Sequence, residues 1–271
     1  MLVLQKVFLF SLAGLLFLQT AAPTKQELND QLYEAVRKGD VAGVTAALDR
    51  GAEVNAKFRY GTTALFKAAE RGYAEVAKVL LDRGADVKVK DTFYGATAMT
   101  WALDNKHVDV VKLLLQKDTS DVDDVLMNGV RGSNADLVKI ALDAGGVTAP
   151  TLTAALAMSS SEEKNAAITE MLKKAGAQPP MEIDAATLQT YAGTYRGDPG
   201  PEIGVTVKDG KLFATLGRDA YQMMALDKTT FRPVAFSGVT VTFNIEADKV
   251  TSATLKDGRG VTKLKRVEPK P

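Results

Sequence analysis

The chain carries one histidine and no cysteine, which limits the chemistry that it can perform. Without cysteine there is no disulfide framework and no thiolate metal site. His107 alone is a poor metal-binding set, since zinc sites combine several nitrogen or sulfur ligands. A histidine-dependent triad has only this candidate, and no Gly-x-Ser-x-Gly elbow accompanies it. The sequence therefore predicts a structural role for His107.

One four-residue segment has the spacing of a catalytic motif. Ser161-Glu162-Glu163-Lys164 fits Ser-x-x-Lys, the nucleophile motif of β-lactamase-like enzymes, but neither Ser-Asp-Asn nor Lys-Thr-Gly occurs in the chain. A serine run before two glutamates is also typical of a loop followed by a helix start. We therefore predict a helix start here. The sequence predicts no enzyme, no catalytic residue and no cofactor.

Acidic residues cluster near the middle of the chain, at Asp118, Asp121, Asp123 and Asp124. A calcium-binding loop would need a glycine and a more distant glutamate at set spacing, and neither is present. The cluster therefore predicts a solvated turn and helix start, and no metal site.

An internal repeat organises the elements that carry these residues. The segment GYAEVAKVLLDRGADVK (72–88) matches GDVAGVTAALDRGAEVN (39–55), and KHVDVVKLLLQKD (106–118) is a third copy. In the central copy, Val76 and Leu80 fall on one face of a helix. The offsets of 33 and 34 residues indicate stacked repeats.

Each unit also contains an upstream helical segment, which predicts two helices per repeat. These segments are LYEAVRKG (32–39), LFKAAERG (65–72) and MTWALDNK (99–106). Thr63, Thr97 and, in the first copy, Asp30 stand where a side-chain oxygen can cap the upstream helix. Weaker copies at 134–146 and 168–178 extend the array to five units over 25–178, of which the last two are degraded.

These units resemble the ankyrin repeat family. The residues that carry the resemblance are Gly61-Thr62-Thr63-Ala64-Leu65, Ala68-Ala69, Gly72, Val76, Leu80-Leu81 and Gly84-Ala85-Asp86-Val87. The resemblance implies a helical solenoid whose tip turns project toward a concave, partner-binding face. Phe66 and Thr100 replace the histidine with which the family ties neighbouring turns together, so we expect a less rigid array.

The last third of the chain changes its hydrophobic period to two. Val239, Val241, Phe243 and Ile245 alternate with polar residues, and turn signals such as Asp209-Gly210 separate the runs. The pattern predicts eight short antiparallel strands, near 193–197, 202–208, 211–217, 220–226, 229–235, 239–246, 249–256 and 260–267. Such a meander closes into a barrel or a strongly bent sheet.

This region, 181–268, is similar to the lipocalin-like β-barrel that follows many β-lactamase-like serine hydrolases. The likeness rests on Tyr191, Gly193 and Tyr195 and on the order of strands and turns. It implies an accessory domain without catalytic residues. The predicted fold is thus α + β in separate domains, an ankyrin solenoid followed by a small antiparallel lipocalin-like barrel.

The N-terminus reads as an export signal. Lys6 precedes an apolar run from Val7 to Leu18, and small residues follow before Pro23. The run is shorter than the ~20 residues that span a bilayer, so we predict a cleaved signal peptide (1–22), with an uncleaved anchor as the alternative. The chain would then be bacterial, and periplasmic or secreted. Its formal net charge of +1 argues against a nucleic-acid partner.

The predicted partner-binding surface lies at the tips between repeats. The tips KFRYG (57–61) and DTFYG (91–95) share aromatic residues that suit either a protein interface or packing of the turns on each other. The predicted contact residues are Phe58, Arg59, Tyr60, Phe93 and Tyr94, with Lys67, Glu70, Arg71, Asp104 and Asn105 as a polar rim.

The barrel offers a second possibility. Phe213, Tyr221, Met223, Phe231, Phe236 and Phe243 would line a pocket for a small apolar ligand, or form an ordinary core. The sequence therefore supports two hypotheses, a protein-interaction module with an unidentified protein partner and a ligand carrier or sensor.

Overall fold

The computed structural model describes residues 22–160, 163–235 and 238–267. All but the last residue of the predicted signal peptide lies outside these residues, as do Ser161, Glu162 and Phe236. Among the described residues, no helix has the length and apolar character needed to cross a membrane. A helical half precedes a closed antiparallel barrel, which confirms the predicted fold class.

Within the described part of residues 25–174, the helices pack as five consecutive pairs. They are α1 (Lys25–Lys38), α2 (Val41–Asp49), α3 (Ala64–Arg71), α4 (Ala74–Asp82), α5 (Ala98–Asp104), α6 (Val108–Lys117), α7 (Val122–Arg131), α8 (Ala135–Ala144), α9 (Ala149–Ser159) and α10 (Ala166–Lys174). First helices stack on first helices and second helices on second helices. The exception is α5 and α7, which pack less closely than the other neighbouring first helices.

Helix α1 begins earlier than the sequence pattern indicates. Thr24 caps it, because its hydroxyl accepts from the Glu27 amide at 3.2 Å while the Glu27 carboxylate accepts from the Thr24 amide at 2.7 Å. The prediction that Asp30 caps this helix is wrong, since Asp30 lies inside it. Thr97 caps α5 as predicted, whereas the Thr63 side chain makes no cap hydrogen bond.

Consecutive repeats are joined by rings that pack on glycine. Gly39 and Gly72 end α1 and α3 with φ of 69° and 72°, where glycine closes a helix without strain. The Tyr73 ring lies against Gly39, and the His107 ring lies against Gly72. His107 Nε2 also lies 3.1 Å from the Glu70 carbonyl oxygen. The single histidine thus holds the third repeat against the second.

The barrel strands follow one another around the barrel in sequence order. They are β1 (Gly193–Gly197), β2 (Glu202–Lys208), β3 (Lys211–Leu216), β4 (Asp219–Ala225), β5 (Thr230–Pro233), β6 (Thr240–Glu246), β7 (Lys249–Asp257) and β8 (Gly260–Val267). Thr194 of β1 pairs with Val267 of β8, which closes the sheet on itself. An additional helix, α11 (Ala185–Tyr191), precedes β1 and packs on β2, β3 and β7.

The barrel is docked on the last helix pairs. Met224 and Val234 belong to the same hydrophobic cluster as the helical core. Arg232, which is 4% exposed, donates from Nη1 to the Thr151 hydroxyl in α9 at 3.1 Å. Burial lowers the pKa of Arg232, while Asp123 and Asp124 of α7 raise it and so favour its charge. These contacts join the barrel to the helical core and to α9.

Candidate protein-binding surface

Three exposed aromatic residues lie side by side at the tips 57–61 and 91–95, which we call the second and third tips because they precede the helices of the second and third repeats. Tyr60, Phe93 and Tyr94 are 49%, 66% and 74% exposed and form what we call the aromatic patch. The ring centroids of Tyr60 and Phe93 are 5.7 Å apart, and Phe93 meets Tyr94 edge to face at 4.5 Å. The two tips are tied together because the Thr92 amide donates to the Tyr60 carbonyl oxygen at 2.9 Å. The rings therefore present a continuous apolar surface to solvent.

A buried carboxylate fixes the third tip. Asp91 is 6% exposed, and its Oδ1 accepts from the amides of Phe93, Tyr94 and Gly95 at 2.9, 2.6 and 3.2 Å. Trp101 supports the tip from below, with its ring 6.4 Å from that of Tyr94. The exposed rings are thus held in place before any partner binds, which lowers the entropic cost of association.

The charge of Asp91 should make this tip sensitive to acid. Burial raises the pKa of Asp91, but hydrogen bonds from the amides of Tyr94 and Phe93 lower it more, so that the folded value lies below the ordinary 3.8. A depressed pKa contributes stability above pH 3.8 that is lost as the pH falls through the folded value. Emission from Trp101, the single tryptophan, should report this loss. We expect a transition below pH 3.8 that Asp91→Asn removes; a transition unchanged in that variant would contradict the assignment.

The other predicted contact residues differ in their exposure and in their contacts. Arg59 places its guanidinium 4.6 Å from the Tyr60 ring centroid, a cation–π contact. Lys67 and Glu70 form an ion pair with each other, and Arg71, Asp104 and Asn105 are exposed. The Asn105 side-chain amide donates to the Trp101 carbonyl oxygen at 2.8 Å. Phe58 differs from the patch residues, because it is half-buried and stacks on Tyr33 at 4.3 Å.

The comparison with known proteins assigns the helical repeats. The family model described as Ankyrin repeats (3 copies) matches residues 32–125. Residues 32–125 are ankyrin repeats. A second family model, a domain of unknown function (DUF3471), matches residues 177–268. That description names neither lipocalins nor serine hydrolases, so the finding for the C-terminal half is an eight-stranded closed barrel.

Similar curated proteins match about a third of the chain. The "Ankyrin repeat and KH domain-containing protein mask" of Drosophila melanogaster is 41% identical over 93 residues, 34% of this chain and 2% of that protein. The "Ankyrin repeat and KH domain-containing protein 1" of Homo sapiens is 40% identical over 90 residues, 33% of this chain and 4% of that protein. The "Ankyrin repeat, SAM and basic leucine zipper domain-containing protein 1" of Otolemur garnettii is 35% identical over 96 residues, 34% of this chain and 20% of that protein. The chain therefore spans between 2% and 20% of these relatives. What they share with it is an ankyrin repeat module, which implies protein–protein interaction.

Aromatic rings fill one end of the barrel interior. Tyr191 stacks on Phe243 with centroids 4.5 Å apart and meets Phe231 at 5.4 Å, and Tyr195 lies 5.5 Å from Phe243. Phe231 and Phe243, predicted as pocket residues, are thereby 1% and 3% exposed. Tyr191 and Tyr195 stand out in the sequence as the Tyr-x-Gly-x-Tyr segment. The sequence analysis does not predict that their side chains lie in the barrel interior.

The remaining predicted pocket residues divide between the two faces of the sheet. Tyr221 and Met223 share the inner face of β4, whereas Phe213 pairs with Thr206 and Gln222 on the outer face. A cleft of about 440 Å³ opens beside the barrel, between β4 and residues 179–183, which connect the helical repeats to α11. Its apolar lining includes Met181, Ile183, Leu212, Met223, Met224 and Phe231.

Within residues 22–160, 163–235 and 238–267, no group of three or more histidine or acidic side chains could hold a metal ion. Lys164 is described, but its motif partner Ser161 is not. In the acidic cluster, Asp118 pairs with Lys88 at 2.8 Å, and Asp123 accepts from the Thr148 hydroxyl at 2.7 Å.

Proposed function

We propose that this protein is an exported, non-enzymatic interaction module that binds a partner protein through its ankyrin concave face and tip turns. The aromatic patch carries the proposal. Large exposed aromatic side chains that are already fixed in position are typical anchors of protein interfaces. Export rests on the leader sequence, and it predicts that the chain recovered from the cell envelope lacks residues 1–22 in an intact-mass measurement.

Removing two rings of the patch should abolish partner capture. We expect Tyr60→Ala with Tyr94→Ala to reduce cross-linking capture from the source cell envelope at least ~10-fold, because interface aromatics commonly contribute ~2 kcal/mol or more each. Both side chains are largely exposed, so the variant should keep its fold. The measurement is quantitative mass spectrometry of everything retained by wild type and by variant.

A matched control comes from the barrel surface. Leu216 and Val261 are also large exposed apolar residues, at 49% and 65% exposure, and they lie far from the tips in sequence. The Leu216→Ala/Val261→Ala variant should capture the same protein as wild type. A partner retained equally by the Tyr60/Tyr94 variant would reject the aromatic patch as the binding site.

The cleft beside the barrel favours a second candidate function, a carrier or sensor of a small apolar ligand. Its volume of about 440 Å³ and its lining of methionine, leucine and phenylalanine suit a small molecule. Native mass spectrometry of the purified chain would show an added mass if such a ligand co-purifies. A bound molecule that survives Met223→Ala would place the ligand elsewhere.

A further inference from the structure

A groove lined by charged residues adjoins the aromatic patch. The groove lies between α5 and α7, where the row of first helices is most open, and has a volume of about 400 Å³. Gly95 forms part of its wall and directly follows Tyr94 in the chain. A segment that covers the patch can therefore run on into the groove without leaving the surface.

Carboxylates outnumber cationic side chains in this groove. Asp104 of α5, Asp121 just before α7 and Asp124 of α7 line it, together with Lys90 and Arg131. Arg131 keeps its charge, while its Nη2 donates to the Ala235 carbonyl oxygen at 2.9 Å. The lining therefore carries one more negative than positive charge next to the exposed rings.

Asp121 is surrounded by charged residues of both signs. Among the described residues, none donates a hydrogen bond to its side chain. Burial raises its pKa, and the neighbouring charges of Asp124 and Asp118 raise it further, while Lys90 and Lys88 oppose this shift. Asp121 also lines an adjoining hollow of about 200 Å³. A cation placed here would relieve the repulsion between the carboxylates.

We propose that the partner presents an extended segment with an apolar or aromatic residue on the aromatic patch and lysine or arginine side chains in the groove between α5 and α7. Charge complementarity selects this occupant, and guanidinium groups also stack on exposed rings. Arg59 lies over the Tyr60 ring at the other end of the patch and would repel a cation there. We therefore expect the positive charge of the segment at the end that reaches α7. The proposal rests on the protein-binding function argued above and adds the chemical class of its partner.

A displayed library of random twelve-residue peptides, selected on the full chain, tests the proposal. Selection on the wild-type chain should enrich peptides that contain an aromatic residue and, on one side of it, at least two lysine or arginine residues. The Asp121→Asn/Asp124→Asn variant should bind those peptides at least 10-fold more weakly. The Asp136→Asn/Asp143→Asn variant, which removes two exposed carboxylates from α8, should bind them as wild type does. Added salt should weaken wild-type binding and have less effect on the Asp121/Asp124 variant.

The outcomes separate this inference from the proposed function. The basic-segment proposal would be overturned if the peptides that depend on Tyr60 and Tyr94 were neutral or acidic. It would also be overturned if they bound the Asp121/Asp124 variant as tightly as wild type. Either result would still support the aromatic patch as a protein-binding surface. Failure to select any peptide that depends on Tyr60 and Tyr94 would overturn both. Because Asp124 also favours the charge of the buried Arg232, thermal unfolding must show that the double variant keeps its fold. Asp121→Asn alone is the second variant, and it too should bind the selected peptides more weakly than wild type does.

Discussion

Replacing Leu80 by alanine should lower the free energy of unfolding by about 2–5 kcal/mol. Leu80 is fully buried in α4, in the cluster that runs through the helical stack. Truncation removes buried methyl groups and leaves a cavity that tightly packed neighbours fill only in part. Urea unfolding followed by circular dichroism measures the change. A loss well under 1 kcal/mol would contradict the helical register on which the repeat assignment depends.

The adjacent repeat supplies a control with the same chemical change. Leu113 lies one position before Leu114, the counterpart of Leu80 in α6, and is only half-buried against the core. Leu113→Ala should therefore cost less than Leu80→Ala, because less apolar surface leaves the core. Equal losses of unfolding free energy at the two positions would show that burial does not determine the cost of truncating these leucines.

Most of the fold could be predicted because the helical repeats and the barrel region have different hydrophobic periods, each sustained over many residues. The spacing of Val76 and Leu80 predicts a helix, and the alternation from Val239 to Ile245 predicts a strand. The strand bounds of the structure follow the predicted ones closely because turn signals such as Asp209-Gly210 mark the ends. Local rules suffice where each segment repeats its pattern over several residues.

The misses occur where a short local signal competes with a longer pattern. Helix α11 was not predicted, although Asp184 accepts from the Thr187 amide at 2.8 Å in an ordinary N-cap. Seven residues are too few for a helical period to stand out. Asp30 was predicted as a cap because it precedes LYEAVRKG, but Thr24 and Glu27 extend the helix by a capping box.

Only the exposed residues of the candidate site could be predicted from the sequence. The sequence names Tyr60, Phe93 and Tyr94 because the tips repeat aromatic residues. It does not single out Asp91 or Trp101, since their roles depend on how the third tip folds over α5. The groove between α5 and α7 also arises from packing, because these two first helices lie less close together than their neighbours do. A local sequence pattern cannot predict contacts between residues that lie far apart in the chain.

Alanine at Gly72 should be the most damaging change at a turn between helices. Gly72 has φ of 72°, where a residue with a Cβ is strained by about 1–2 kcal/mol. An added Cβ would also lie 2.4 Å from His107 Nδ1 and 2.8 Å from its Cγ. The ring cannot move away without leaving the Glu70 carbonyl oxygen, and such overpacking commonly costs ~1–3 kcal/mol. We therefore expect a larger loss on chemical unfolding than from strain alone.

Gly84 separates the two causes, because it has a similar φ of 85° but open space where a Cβ would lie. Gly84→Ala should therefore show the strain of about 1–2 kcal/mol without the clash. In a double-mutant cycle, His107→Ala should recover part of the loss caused by Gly72→Ala, since the shortened side chain leaves room for the new methyl group. Additive losses would mean that the ring does not press on Gly72. Coupling between the two positions would identify His107 as the link between the second and third repeats, in an array where Phe66 and Thr100 replace the family's usual tie.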